Sequence, residues 1–326
     1  MSWTLLALPP VPQELVLSLF GDLEVTLLPL PERTQAAVDA LLPRADLVLA
    51  DWSPSLRVDA PGDRVCFVQQ PSVGYDGVDA DALAAAGVPL ANCAGANSTS
   101  VAEWCVSAVL ALLRRTVTAD EAVRAGRWPQ TSLGGQELAG KRVGVVGMGS
   151  AARASALLFA AFGCQVTYWS RRRHPDAPVP YAELDDLLAG SDIVVVVIAL
   201  GPQTRGLVDA RRLKAGALLV NGARGEVVSE PALLAALEDG HLGGAALDVF
   251  AVEPLPADSP LRAAPGLLLS PHMAGSTAQS TGRIIGQATA NLRRVLAGEP
   301  VVDVVNGVDP CVRRRRPAAH GPSARP

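Results

Sequence analysis

Three observations predict an α/β fold of two doubly wound parallel-sheet domains. Short apolar, strand-like runs alternate with helix-like stretches along nearly the whole chain. One run, Ile193–Ile198, is continuously β-branched, as a central strand covered on both faces requires. A third, Arg142–Val146, opens through a glycine turn directly into a helical stretch.

The elements follow in order. Strands are predicted at Trp3–Leu8, Leu23–Leu28, Leu47–Ala50, Val65–Val68 and Pro89–Asn92, with helices at Gln13–Phe20, Thr34–Leu42 and Asp79–Ala86 between them. These make one small doubly wound unit. A longer helix, about Thr99–Leu113, leads to a loop around Trp128–Gly135. A second series then places strands at Arg142–Val146, Gln165–Trp169, Ile193–Val197, Ala217–Asn221, Gly244–Leu247 and Leu267–Leu269, with helices such as Ala151–Phe162 and Glu230–Glu238. A last helix runs from about Ser276 to Leu296 and stops at Gly298. The expected division is 1–98 with 276–310 as one domain and 99–275 as the other, followed by a disordered basic tail, 311–326.

Composition narrows the class. With 326 residues, 49% hydrophobic and 18% charged, the chain has material for two cores and no general tendency to disorder. The longest apolar run, Ile193–Leu200, is far short of the ~20 residues that span a bilayer. The N-terminus has no basic signal region, so a cytoplasmic location is expected. Cysteines 66, 93, 105, 164 and 311 are scattered without a C-x-x-C pair, which disfavours disulfides and metal and fits free thiols. The last 16 residues carry five arginines and no acid, leaving 23 basic against 32 acidic residues elsewhere. A basic tail on an acidic body does not make a nucleic-acid-binding face.

The segment Val143-Gly-Val-Val-Gly147-Met-Gly149-Ser150-Ala151-Ala152 carries chemistry. Gly147 permits the tight turn, Gly149 lets a pyrophosphate approach the backbone, and Ala152 is small enough for helix–strand packing. The helix N-terminus supplies N–H groups and a positive dipole end, so dinucleotide binding is expected. About 20 residues on, the acid that bonds an NAD ribose is replaced by Ser170-Arg171-Arg172-Arg173. A 2′-phosphate is tolerated there, so NADP(H) is preferred, with NAD(H) possible.

Of the four histidines, His174 and His320 lie in a loop and the tail, and His241 in a helix-to-strand turn. His272 follows a strand in Ser270-Pro-His-Met-Ala-Gly-Ser-Thr277, at the sheet edge where open α/β folds bind ligands. That segment, Asn221-Gly-Ala-Arg224-Gly-Glu-Val-Val and Ala246-Leu-Asp248-Val-Phe-Ala-Val-Glu253-Pro resemble signatures of the D-isomer-specific 2-hydroxyacid dehydrogenase family. Ser72-Val73-Gly74-Tyr-Asp76-Gly-Val-Asp79 and Asn97-Ser-Thr-Ser-Val-Ala-Glu103 are similar to two more, so the resemblance covers roughly residues 65 to 300.

The resemblance implies a Rossmann nucleotide domain, a flavodoxin-like substrate domain and reduction of a small 2-keto acid. It implies that Arg224 binds the substrate carboxylate and keto oxygen, that His272 donates a proton to that oxygen, and that Glu253 orients the imidazole and keeps it charged. Asp248 would hold the nicotinamide amide, and Thr204 would line the cofactor site. Gly222, Ala223 and Gly275 complete the cofactor set with Gly147, Gly149, Ser150 and Ala151. The N–H groups of Val73 and Gly74 would receive the carboxylate from the other domain, across a cleft closed by hinge motion. The long helix from about Thr99 resembles the family's dimer-forming element, so a homodimer is expected.

Within the family, formate dehydrogenases have Gln where Glu253 stands and phosphite dehydrogenases have Lys where Val73 stands. The sequence is instead most similar to glyoxylate/hydroxypyruvate reductases. A non-catalytic, nucleotide-sensing relative of the corepressor type is the alternative. Ser150-Ala151-Ala152 departs from the usual basic-Ile/Val-Gly and puts cofactor affinity in question.

Overall fold

The chain divides into two units, Met1–Ala96 with Ala278–Pro326, and Asn97–Thr277. The crossings fall two residues from the expected ones. The computed structural model describes residues 2–9, 16, 24–52 and 55–315. The predicted helix Gln13–Phe20 lies almost wholly outside these, as does the end of the basic tail.

The first unit has five parallel strands, β1 (Trp3–Ala7), β2 (Val25–Leu28), β3 (Leu47–Leu49), β4 (Phe67–Gln69) and β5 (Leu90–Ala91). Their order is β2-β1-β3-β4-β5, the flavodoxin-like winding. Helices α1 (Gln35–Leu41) and α2 (Ala80–Ala85) begin at side-chain caps: Thr34 accepts the Ala37 N–H and Asp79 the Ala82 N–H. One sheet face packs Leu6, Val48, Val68 and Leu90 with Val38 and Leu83 of these helices. The other packs Leu5, Leu47 and Phe67 against Ala288, Leu292 and Val295. Those three recur at helical spacing on the helix Ala278–Ala297, whose apolar stripe therefore belongs to this unit.

The second unit opens with α3 (Ser98–Leu113) and α4 (Thr116–Arg124). Its sheet holds β6 (Arg142–Val146), β7 (Gln165–Trp169), β8 (Ile193–Val196), β9 (Leu218–Asn221), β10 (Gly244–Leu247) and β11 (Leu267–Leu269), with α5 (Ser150–Ala161), α6 (Leu184–Gly190) and α7 (Glu230–Glu238) between. The helix Ala278–Ala297 is α8. All the pairings are parallel, in the order β11-β10-β9-β8-β6-β7, with a single parallel bridge from Tyr168 to Tyr181 beyond β7. That bridge stands where the third strand of the Rossmann order would lie. Val143, Val145, Ile193, Val195 and Val220 meet α3 and α5 on one face; Val194, Val196 and Leu219 meet α6 and α7 on the other. The strands are therefore buried on both sides, as the β-branched run requires.

Two differences from the sequence reading have physical causes. Helix α4 falls in the stretch between the predicted long helix and the Trp128–Gly135 loop that carries no predicted element; its nine residues include two threonines, weak helix formers. Residues 311–315 were expected to begin a disordered tail, yet Arg314 pairs with buried Asp46 at 3.2 Å, donates to the Ser2 carbonyl and lies over the Trp3 ring. Arg315 donates to the Ala86 carbonyl. The described end of the tail thus has anionic and aromatic partners in its own unit. Among the described residues, no helix is long and apolar enough to cross a membrane.

Candidate active site

The strands of the second unit run parallel and in register, so their C-terminal ends lie along one edge. Val146 is level with Val196, Val196 with Asn221, Asn221 with Leu247, and Leu247 with Leu269. Gly147, Arg224, Asp248 and His272 follow those ends closely. The order reverses between β6 and β8, the switch point where open sheets of this kind bind ligands.

At the switch point Gly147 has φ +124°, and a Cβ there would lie 2.4 Å from the Val197 carbonyl oxygen. Only glycine turns the chain this tightly. Gly149 caps α5, and a Cβ added to it would meet no described atom within 4 Å. This open space before three turns of helix, with Ser150 exposed and Ala152 buried under the helix, suits a pyrophosphate. The turn therefore fits a dinucleotide.

After β7, Ser170 is buried and its hydroxyl donates to the Arg172 carbonyl at 2.6 Å, closing the turn. Arg171 and Arg172 are exposed, whereas Arg173 is held by Glu183 and the Tyr181 ring. Arg153, not part of the expected set, pairs with Asp176 and ties the loop carrying these arginines to α5.

Asn221, fully buried at the end of β9, shapes the next turn. Its side chain accepts the Ala223 N–H and donates to the Arg224 carbonyl. Gly222 is half-buried and Ala223 buried. The Arg224 guanidinium donates to the Ala223 carbonyl at 2.7 Å. Gly225 makes this turn possible, because a Cβ would fall 1.9 Å from the Phe250 carbonyl carbon of the neighbouring loop.

That neighbouring loop carries Glu253. One carboxylate oxygen accepts the Phe250 N–H at 2.9 Å and the other meets His272 Nδ1 at 2.7 Å. Burial pushes the Glu253 carboxyl up, but the hydrogen bonds from His272 and Phe250 and the charges of His272 and Arg224 outweigh it and hold it below the usual glutamate value. His272 has φ +52°, a left-handed conformation rare without glycine, and its side chain is about half exposed. Among the described residues its Nε2 makes no hydrogen bond.

Two of the residues expected at the cofactor are held by backbone groups of nearby turns. Asp248 is 1% exposed, and its carboxylate accepts from Ser270 Oγ and the Met273 and Ala274 N–H groups, while its carbonyl accepts the His272 N–H. Through these bonds Asp248 anchors the His272 segment at the end of the sheet. Thr204 is buried and its hydroxyl donates to the Ala199 carbonyl, fixing the turn. Gly275 packs against Asn97, where a Cβ would lie 2.5 Å from the side-chain nitrogen. Val73 and Gly74 lie in the first unit, in the loop after β4.

Sequence reasoning missed Asn221, Ser270 and Glu230, whose carboxylate accepts the Ala251 N–H. Their signal was present only as small polar residues at strand and helix ends. Among the described residues there is no cluster of His, Cys, Asp or Glu suited to a metal.

A Rossmann-ordered sheet with a glycine turn at its switch point defines a dinucleotide-binding unit. Residues 106–274 match the family model described as D-isomer specific 2-hydroxyacid dehydrogenase, NAD binding domain. The chain is 37% identical over 303 residues to the D-3-phosphoglycerate dehydrogenase of Mycobacterium leprae, covering 90% of this chain and 57% of that protein. It therefore spans little more than half the length of that relative. It is 36% identical over 284 residues to the glyoxylate reductase of Thermofilum pendens, covering 82% of this chain and 81% of the relative. A crystal structure of a glyoxylate reductase from Paecilomyes thermophila superposes with a TM-score of 0.82 at 26% identity, covering 93% of this chain and 98% of that one. The chain belongs to the D-isomer-specific 2-hydroxyacid dehydrogenase family.

Proposed function

We propose that this protein reduces a small 2-keto acid of the glyoxylate or hydroxypyruvate type to the D-2-hydroxy acid, with NADP(H) preferred over NAD(H). The observation that carries the reading is the Glu253–His272 pair at 2.7 Å, held beside Arg224 on the edge where Gly147 and Gly149 would receive the dinucleotide. The reduced nicotinamide, when bound, supplies the hydride that reaches the carbonyl carbon.

Arg224 binds the substrate carboxylate and polarises the keto oxygen, its planar guanidinium suited to two oxygens at once. His272 donates the Nε2 proton to that oxygen as negative charge develops on it. Glu253 holds Nδ1 and fixes the orientation of the ring. The amides of Val73 and Gly74 are a further carboxylate anchor. Arg171 and Arg172, free of described ion pairs at the end of β7, support the NADP(H) preference, because no carboxylate stands there to repel a 2′-phosphate.

The active species is proposed to be a cytoplasmic homodimer. Helix α3, the expected dimer element, spends its apolar face inside the unit, but Val117, Val123 and Trp128 just beyond it are exposed and support an interface there. Absorbance loss of NADPH and NADH with glyoxylate, hydroxypyruvate and phenylpyruvate tests the reading. Turnover with at least one of these, faster with NADPH, is expected; cofactor binding without turnover on any keto acid contradicts it and favours a nucleotide-sensing role.

A further inference from the structure

We propose that Asn92 and Ser72 are positioning residues that present the N–H groups of Val73 and Gly74 to a carboxylate, by gripping the loop's carbonyls from behind. The inference rests on the 2-keto acid reading and concerns the first unit alone.

Three consecutive carbonyls of this loop are occupied. That of Ser72 accepts the Cys93 N–H at 2.9 Å. That of Val73 accepts from Asn92 Nδ2 at 2.7 Å. That of Gly74 accepts from Ser72 Oγ at 2.5 Å, and Ser72 Oγ in turn receives Gln70 Nε2 at 2.8 Å.

In a trans peptide the C=O and N–H point in opposite directions. The Val73 N–H shares its peptide with the Ser72 carbonyl, and the Gly74 N–H shares its peptide with the Val73 carbonyl. Both N–H groups therefore point away from the 92–93 segment. In a regular strand successive carbonyls alternate sides, and a neighbouring backbone reaches only every second one. The Asn92 side chain captures the carbonyl that backbone pairing would leave out, so two successive N–H groups face the same way. Such a pair forms a concavity for an anion. Among the described residues neither N–H has a hydrogen-bond acceptor.

The burial pattern supports a role beyond packing. Asn92 is 6% exposed and its Oδ1 is buried without a partner, as is the Oε1 of Gln70 beside it. Buried amides with an orphaned oxygen are rare and need an explanation. Here the nitrogen end of each amide is engaged in the loop: Gln70 Nε2 also donates to the Asp51 carbonyl.

The test uses the full chain and three variants, Asn92→Ala, Asn92→Asp and Ser72→Ala. For N92A the KM for the keto acid should rise about tenfold with kcat within about twofold, the loss of one well-aimed charge-assisted hydrogen bond. S72A should show a smaller rise, and N92D, which sets a carboxylate against the Val73 carbonyl, a larger one; NADPH affinity should stay at the wild-type value in all three. In parallel, the Val73 and Gly74 amide resonances of the wild type should shift when oxalate is titrated, and this response should be lost in N92A. Unchanged KM in both N92A and S72A overturns the proposal, as does a wild type whose two amides ignore oxalate. Amides that respond to oxalate through Asn92 in a protein that turns over no keto acid uphold it while refuting the 2-keto acid reading. If N92A does not fold, the same two readouts on S72A decide.

Discussion

Two short loops at the C-terminal ends of parallel strands are held by opposite means. In the segment after β11 a buried acid, Asp248, accepts from backbone N–H groups and a hydroxyl, and what is presented is a side chain, His272. In the segment after β4 side-chain and backbone donors occupy backbone carbonyls, and what is presented is a pair of backbone N–H groups. An acceptor anchor suits the first, because His272 at φ +52° must be kept from relaxing. A donor anchor suits the second, because only occupied carbonyls leave the N–H groups for an anion. The lesson is that the polarity of the anchor foretells the polarity of the ligand group.

The strongest way to break this comparison is to remove the acidic anchor. Asp248→Ala should lower kcat about a hundredfold, since small misplacements of a catalytic group cost that much. It should also leave the Met273 and Ala274 N–H groups unpaired and lower stability by roughly 1–3 kcal/mol. Steady-state kinetics with thermal melts would check both, and a kcat near wild type would show that His272 holds its place without Asp248.

A smaller effect is expected at the β7 end. Ser170→Asp should shift the NADH-over-NADPH preference about tenfold by repelling a 2′-phosphate, measured as the ratio of kcat/KM values. No change would mean that the 2′ position lies elsewhere.

The smallest effect concerns the frame of the first unit. Burial pushes the Asp46 carboxyl up, but Arg64, both donors of Thr4, and Arg314 outweigh it and hold it at about 2. A depressed carboxyl stabilises the fold above its unfolded value near 4, and that stability is lost as pH falls towards 2. Asp46→Asn should therefore lower stability by about 2 kcal/mol at neutral pH and flatten the acid-unfolding profile between about pH 4 and 2. Denaturant melts across that range would check this, and kcat should be unaffected.

Much of this was legible in the sequence because it is written in residue types. The continuous run Ile193–Ile198 can only be a strand covered twice, and Gly147 and Gly149 sit where the backbone needs them. Arg224, Glu253 and His272 are 29 and 19 residues apart, so only successive strands ending on one edge bring them together. What was not legible depends on which hydrogen bonds a side chain makes. That Asp248 and Thr204 each bond to the backbone of nearby turns depends on burial, which residue type alone does not show. Asn92 and Ser72 look like ordinary loop residues: Asn92 reaches the Val73 carbonyl only when β4 and β5 pair, and Ser72 donates to the Gly74 carbonyl within its own turn. Helix α4 escaped because it is short and includes two threonines, weak helix formers.

The central claim is that His272, oriented by Glu253 and anchored through Asp248, is the proton donor. Its most direct test is His272→Gln, assayed for NADPH oxidation with the best keto acid and, separately, for NADPH binding by fluorescence. The account predicts a fall in kcat of about 10²–10⁴, the range for losing a general acid, with cofactor affinity retained. A variant that turns over at the wild-type rate would contradict it.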